Sequence, residues 1–429
     1  MGRRFVAYFA AHRLVAFLAI FSLSFLIRFS LLVRVPRSEI FNTGGEATRI
    51  AHALVSKGQF ADPYVIPTGP TAHTTPFFPV VTAGVFEVFG NGYRGNFVRC
   101  LLVVFSYSLL YALYPSFASA FGFPYAAGLI AGLASALVPL KRSAEIWRGW
   151  EEPYAAMALA FLLLLTLKRW KSPNRDAKGA FFLGLCWGAA LYISFILFAV
   201  LAGLLIFDLL VNRKPRIVRD ACLTMVAVVA VTAPWILRNH RQLHGWTLMR
   251  DNLGLELSFD NHDHAAPSST LLNHDPISWS RHPSNSVAAA SEVKSMEELE
   301  FNRRQLNLAV KWIETHPASF VLLSLERFFY FWFGPIEHPF DLLAISFYTV
   351  LGWAGLGLIR KRVGNTQFRL WCIAFATYPL VYYFVQYINR YRVPIDWMVW
   401  LSAGLAITVV VEKLSPALSP PGEDQVSAT

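Results

Sequence analysis

A glutamate, Glu46, stands behind two glycines in "NTGGEATRIAHALVSKG", the stretch that begins at Asn42. A carboxylate there could take or orient the proton of an attacking hydroxyl, and glycines beside it let a substrate approach closely. The same letters form a capping box. Thr43 precedes Glu46 by three positions, and Ala47, Ile50, Ala51 and Leu54 follow at helical spacing, as in an amphipathic helix lying on an interface. Both readings stand on these residues alone.

Complementary chemistry recurs along the chain. "QYINRYRVPIDW", from Gln386, sets Arg390 and Arg392 in a proline-ended turn. Guanidinium groups suit bidentate contact with phosphate; the plainer reading is a pair of arginines snorkelling at an interface. Arg238, Asn239, His240 and Arg241 follow Pro234 and Trp235, which are expected to end a helix. His73 lies in "IPTGPTAHTTPFFP", where Pro67, Pro70, Pro76 and Pro79 fix an extended path into a short apolar helix. It either touches an anionic ligand or is a solvated loop residue. Asp260, His262, Asp263, His264, His274 and Asp275 are types that bind divalent ions, but their spacing matches no defined metal motif. A polar loop rich in histidine explains them as well. In "PLKRSAEIWRGWEEPY", from Pro139, the charges Lys141, Arg142, Glu145, Arg148, Glu151 and Glu152 read as mutual salt bridges between two interfacial tryptophans, Trp147 and Trp150.

The apolar remainder must position these groups. The 429 residues are 55% hydrophobic and only 15% charged, with a mean hydropathy of +0.43. Soluble domains carry about 25% charge, so this composition specifies a membrane protein. Spans are expected near residues 14–33, 97–116, 125–140, 153–168, 179–193, 195–211, 221–237, 341–359, 368–387 and 395–412, about ten in all. The apolar stretch 181–211 would be about 46 Å long as one helix. Two short spans instead keep its flanking basic segments, "KRWKSPNRDAK" and "RKPRIVR", on one face. Residues 316–334 carry Glu326 and Arg327 amid aromatics and read as an interfacial helix.

That arrangement leaves both termini in the cytoplasm and two polar loops outside, at about residues 34–96 and 238–317. A single domain covers residues 1–412, with a short disordered cytoplasmic tail at 413–429. The net charge of +11 sits in short loops beside apolar runs, which orients a polytopic chain and excludes nucleic acid as the expected partner. The four cysteines, Cys100, Cys186, Cys222 and Cys372, fall inside apolar runs and read as small buried hydrophobes.

In this order the segments resemble the GT-C class of integral-membrane glycosyltransferases. Within it they look most like bacterial relatives of the protein O-mannosyltransferases and the lipid A aminoarabinose transferases. The segments that carry the resemblance are "GGEATRIAHALVSKGQF" (44–60), "TGPTAHTTPFFPVVTAGVFEVFG" (68–90), "APWILRNHRQLHG" (233–245), "IETHPASFVLLSLERFFYFW" (313–332) and "NRYRVPI" (389–395). Each is weak alone, and the five in order span most of the chain. The resemblance implies an all-α polytopic membrane protein, a GT-C-like bundle of about ten transmembrane helices with interfacial helices in the extracytoplasmic loops. It also implies transfer of a sugar from a polyprenyl-phosphate donor to a lipid, glycan or protein acceptor, at the outer face of a bacterial inner membrane and among its lipids.

The roles expected of this sequence, the acidic one from the resemblance and the others from the residues themselves, are as follows. Glu46 is the catalytic carboxylate; many members have aspartate in or beside this motif, where this chain has Gly44 and Gly45. Glu39, upstream, is a secondary acid. Arg390, Arg392, Arg238 and His73 bind the donor phosphate, with Tyr391 and Asn239 in support. A divalent metal ion is the one candidate cofactor, and His262, Asp263 and His264 are its candidate ligands. The rival function is a transporter or flippase of lipid-linked sugars. That reading expects charges or paired broken helices near the membrane midplane, whereas here the polar groups gather toward one surface.

Overall fold

Long apolar runs have no water to bond their backbone groups in a membrane, so they satisfy those groups internally as helices. A computed structural model of the chain describes residues 8–41, 45–138, 151–212, 214–269 and 275–414. In order its helices are α1 (Arg13–Leu32), α2 (Arg37–Phe41), α3 (Gly45–Lys57), α4 (Phe77–Phe89), α5 (Tyr93–Ala112), α6 (Tyr114–Phe121), α7 (Tyr125–Leu137), α8 (Glu152–Lys171), α9 (Ala177–Leu191) and α10 (Leu197–Asn212). They continue as α11 (Pro215–Gln242), α12 (Leu253–Asp260), α13 (Pro276–Ser280), α14 (Val287–Met296), α15 (Glu298–Thr315), α16 (Pro317–Phe333), α17 (Pro339–Arg362), α18 (Asn365–Thr377) and α19 (Val393–Leu414). Two 3₁₀ turns, Leu380–Tyr383 and Asn389–Arg392, lie between α18 and α19. Among the described residues there is no strand, only the isolated bridges Ala61–Pro70 and Ser268–Tyr387.

Among the described residues six helical stretches are long and apolar enough to cross a membrane, namely α1, α5–α6, α8, α11, α17 and α19 with its preceding turn. Four shorter apolar helices, α4, α7, α9 and α10, accompany them. The chain is thus an all-α bundle of long and shorter apolar helices.

At its centre lies α19, whose Trp397, Met398, Leu401, Ser402, Gly404 and Leu405 are all buried. Small residues let neighbouring helices touch it by backbone, the usual solution where hydrophobic burial gives no preference for helix over lipid. A Cβ on Gly355 would sit 1.8 Å from the Ser402 carbonyl oxygen, and one on Gly404 2.2 Å from that of Ala127.

The ends of the bundle differ. At one end Arg169 pairs with Asp220 at 2.5 Å and Arg175 with Asp208 at 2.6 Å. Both basic segments around α9 and α10 therefore meet on one side, and the chain breaks between Leu191 and Leu197 as the charge pattern requires. Arg369 over the Phe207 ring, at 5.8 Å, and the Arg362–Glu412 pair, at 3.4 Å, bring the start of α18 and the ends of α17 and α19 to that side. The opposite end carries both large loops, folded into short helices: α2–α4 in the first and α12–α15 in the second.

Two local expectations need correction. The helix expected to stop at Pro234 runs on to Gln242, because loop partners hold its last turns. Trp235 packs edge-on to Phe60 at 5.0 Å, and Arg238 and Asn239 bond loop carbonyls. The span expected at 368–387 ends at Thr377, since Pro379 lacks the N–H that would continue it. In α16, Arg327 is buried and donates to the Asn261 side chain and the Phe384 carbonyl, which ties that helix to the loop end. Thr43 and Gly44, the charged segment from Lys141 to Trp150, His274 and residues 415–429 lie outside the described residues.

Candidate active site

Between the two loops and the helix ends lies a cavity of about 1170 Å³. One wall begins at α3. Gly45 has φ +49, a left-handed conformation suited to glycine, and it starts the helix so that Glu46, in the first turn, faces the cavity. The helix is held down by its buried face, Ala47, Ile50, Ala51 and Ala53. Glu46 Oε1 accepts a hydrogen bond from the Ser284 hydroxyl of the second loop. Burial favours protonation of Glu46, but the neighbouring His73 and His282, then Ser284, outweigh it and lower its pKa to about 2. The carboxylate is therefore ionised at neutral pH.

His73 is buried beside it. Its Nδ1 lies 3.1 Å from the Tyr64 hydroxyl, and the rings of His73 and His282 are 6.3 Å apart. Burial is the largest influence on His73 and lowers its pKa to about 4, against the pull of Glu46, so the imidazole is neutral where Glu46 is charged. The carbonyl of His73 accepts from Arg250 Nε at 3.0 Å. Arg250 lines the cavity, and its two terminal nitrogens have no protein partner among the described residues.

The facing wall comes from the start of α8 and the turn before α19. Arg390 donates to Glu152 at 2.9 Å and lies over the Tyr391 ring, which itself stacks on Tyr382 at 4.4 Å. Glu151, just ahead of α8, has its pKa raised to about 7 by burial and by Glu152, with Arg390 and Arg250 opposing. A third wall is the break between α9 and α10, where Ser194, Phe195 and Ile196 meet the cavity.

Of the residues singled out by sequence, Glu46, His73, Arg390 and Tyr391 line this one cavity. Arg392 does not. It is 1% exposed and points into the bundle, where Asp396, the Phe331 and Trp332 carbonyls and Thr349 take its donors. Its guanidinium joins α16, α17 and α19, with four of its five N–H groups taken there, and it is closed off from the cavity. Arg238 is likewise engaged, donating at 2.6 Å to the carbonyls of both Thr71 and Phe60, while Asn239 bonds the Leu248 carbonyl at 2.7 Å. Arg238 thus holds the first loop and Asn239 the second, and neither lines the cavity. Glu39 is exposed on α2, also away from it.

His262, Asp263 and His264 diverge. His262 is buried, Asp263 is exposed and accepts from Trp312, and His264 is exposed and pairs with Asp275 at 3.8 Å. Among the described residues no three His, Cys, Asp or Glu side chains converge to hold a metal ion. Sequence reasoning passed over Arg250, His282 and Ser284, and it read Glu151 and Glu152 only as salt-bridge partners.

The fold is that of the GT-C class. The chain is similar to the oligosaccharyltransferase of Archaeoglobus fulgidus solved with a tethered acceptor peptide, with 16% identity, 94% of this chain and 50% of that one covered, and a TM-score of 0.51. The archaeal oligosaccharyltransferase AglB of that organism, in complex with an inhibitory peptide and a dolichol-phosphate, gives 16% identity, coverage of 94% and 51%, and a TM-score of 0.51. ArnT from Cupriavidus metallidurans in the apo state is similar at 16% identity over 97% of this chain and 66% of its own, with a TM-score of 0.51. This chain thus spans about half the length of the oligosaccharyltransferase and about two thirds of ArnT. No family model matches the sequence, and no curated protein matches it by sequence.

Proposed function

We propose that the chain is a membrane glycosyltransferase that moves a hexosyl or pentosyl group from a polyprenyl-phosphate donor to a lipid, glycan or protein acceptor. The observation that carries this reading is one cavity that joins an ionised carboxylate, Glu46, to two guanidinium groups, Arg250 and Arg390. Solved relatives of the fold support the donor class, since AglB is described with a dolichol-phosphate. The reaction takes place at the loop-bearing end, the extracytoplasmic face of a bacterial inner membrane, with both termini in the cytoplasm.

In the reaction the acceptor oxygen bonds to the anomeric carbon while the bond from that carbon to the phosphate oxygen breaks, its electron pair leaving with the phosphate. Glu46, with a pKa of about 2, is a weak base. Its work is to align the acceptor hydroxyl and stabilise positive charge growing at the anomeric centre. The acceptor proton crosses Glu46 transiently and ends on the departing phosphate, whose second pKa is about 6. Arg250 and Arg390 receive that phosphate. Glu151, with a pKa of about 7, is protonated much of the time at neutrality and so presents a donor there in place of a second negative charge.

A metal has an outside precedent, because the A. fulgidus oligosaccharyltransferase is also described in complex with Zn and sulfate. The described side chains do not converge into a ligand set for one, and no step here is routed through a metal.

The test is Glu46→Gln in proteoliposomes supplied with radiolabelled polyprenyl-phosphate sugars, with folding checked by gel filtration. Transfer is expected to fall by about 10²-fold or more, the loss typical of removing an oriented acid–base group. Transfer at the wild-type rate by this variant overturns the assignment.

A further inference from the structure

His73 reaches the cavity at the end of a strap, residues 60–73, that has little regular structure of its own. Two strap carbonyls, those of Phe60 and Thr71, are held by Arg238. The last three residues are held by one carboxylate of the other loop. Glu298 accepts the Ala72 N–H at 2.7 Å and also the Thr71 hydroxyl, and that hydroxyl oxygen in turn accepts the His73 N–H at 2.9 Å. One buried side chain therefore orients Thr71, Ala72 and His73 in series.

The backbone bends to deliver it. Glu298 is the first residue of α15, and Glu297 before it has φ +68 and ψ 155, a region that essentially only glycine occupies without strain. Strained residues of that kind persist where the surroundings over-determine them, and here the surroundings are the three bonds of the strap. Glu298 is absent from the cavity wall itself.

We propose that Glu298 is a positioning residue: its grip on Thr71 and Ala72 fixes His73 beside Glu46, so this wall of the site is assembled only when the second loop docks on the first. The role rests on the glycosyltransferase reading for its effect on turnover. Its structural half, the placement of His73, can be measured apart from any activity.

Full-length Glu298→Ala and Glu298→Gln are compared with wild type in proteoliposomes, by sugar transfer from a polyprenyl-phosphate donor and by the rate of His73 modification with diethyl pyrocarbonate, read by mass spectrometry. Glu298→Ala is expected to lower kcat about 30-fold or more with the donor KM within about 3-fold, as misplacement of a distant reacting group does. His73 modification is expected to rise about 10-fold as the strap opens. Glu298→Gln still accepts from Ala72 and restores most of both. Should Glu298→Ala fail to fold, Thr71→Val removes the shared hydroxyl and is read in the same two ways. Unchanged His73 reactivity in the alanine and valine variants overturns the positioning role, as does a loss expressed in KM alone. Wild-type protein that transfers no sugar overturns the parent function, while His73 reactivity still decides the placement.

Discussion

Ser284 donates its hydroxyl hydrogen to the carboxylate of Glu46 across 238 residues of sequence. The reactive group of the first loop is therefore oriented by the second. A hydrogen bond to a charged acceptor contributes about 1.5–3 kcal/mol. Ser284→Ala is expected to lower sugar transfer about 10-fold while the protein stays folded, and Ser284→Thr, which keeps a hydroxyl, to retain most activity. Steady-state transfer in the two variants checks this.

Arg392 should separate cleanly from Arg250. Loss of Arg250 removes a charge-assisted contact with the donor phosphate, so Arg250→Ala should raise the donor KM by about 10-fold or more with little change in unfolding temperature. Arg392→Met should do the reverse. It strands Asp396 in the bundle, and breaking a buried pair costs about 3–5 kcal/mol. Donor titrations beside thermal unfolding in detergent distinguish the two outcomes.

Stability should depend on pH in two opposing windows. His73 has its pKa depressed from 6.5 to about 4 by burial. Between those values the unfolded chain binds a proton that the folded one refuses, so acidification from pH 6.5 to 4 destabilises. Glu298 is the opposite case, raised from 4.5 to about 8 by burial against its bonds from Thr71 and Ala72. Its contribution is full below pH 4.5 and is lost as pH rises toward 8. Above pH 6.5 the His73 effect is spent while Glu298, and Glu151 in the same direction, still titrate, so the unfolding temperature should fall from pH 6.5 to 8, and Glu298→Gln should reduce that slope. Thermal scans of the two proteins across that range settle it.

Helix contacts at α19 leave no room for a side chain. Gly355→Leu or Gly404→Val forces the backbones apart, and overpacking of this kind costs about 1–3 kcal/mol or more. Gly357→Ala, where a Cβ meets nothing within 4 Å, is the control and should be neutral or slightly stabilising. Chemical denaturation in detergent gives the comparison.

The bundle was largely legible in the sequence, because apolar length and the pairing of basic segments are local signals. They divide the apolar stretch 181–211 near residue 194, where the structure has its break at 192–196. The site was legible in part. Glu46 and Arg390 stand at chain positions where a helix or span begins, and topology brings such positions to one end. Arg392 could not be separated from Arg390 by letters alone, since neighbouring residues of a 3₁₀ turn point in different directions and only packing shows which faces inward. Ser284 and His282 carry no local signal, and they matter because the second loop folds back over α3. Arg238 was read as a ligand, although loop carbonyls more than 160 residues away occupy its donors.

The interruption between α9 and α10 has a spatial consequence. Because Ser194, Phe195 and Ile196 line the same chamber as Asp251 and Arg303, that chamber has walls of two different characters. Its side abuts apolar helices of the bundle, and its roof is made of polar loops. For the proposed transfer this sets the apolar tail of a donor against Phe195, Ile196 and Phe198 and polar acceptor groups against Asp251 and Arg303.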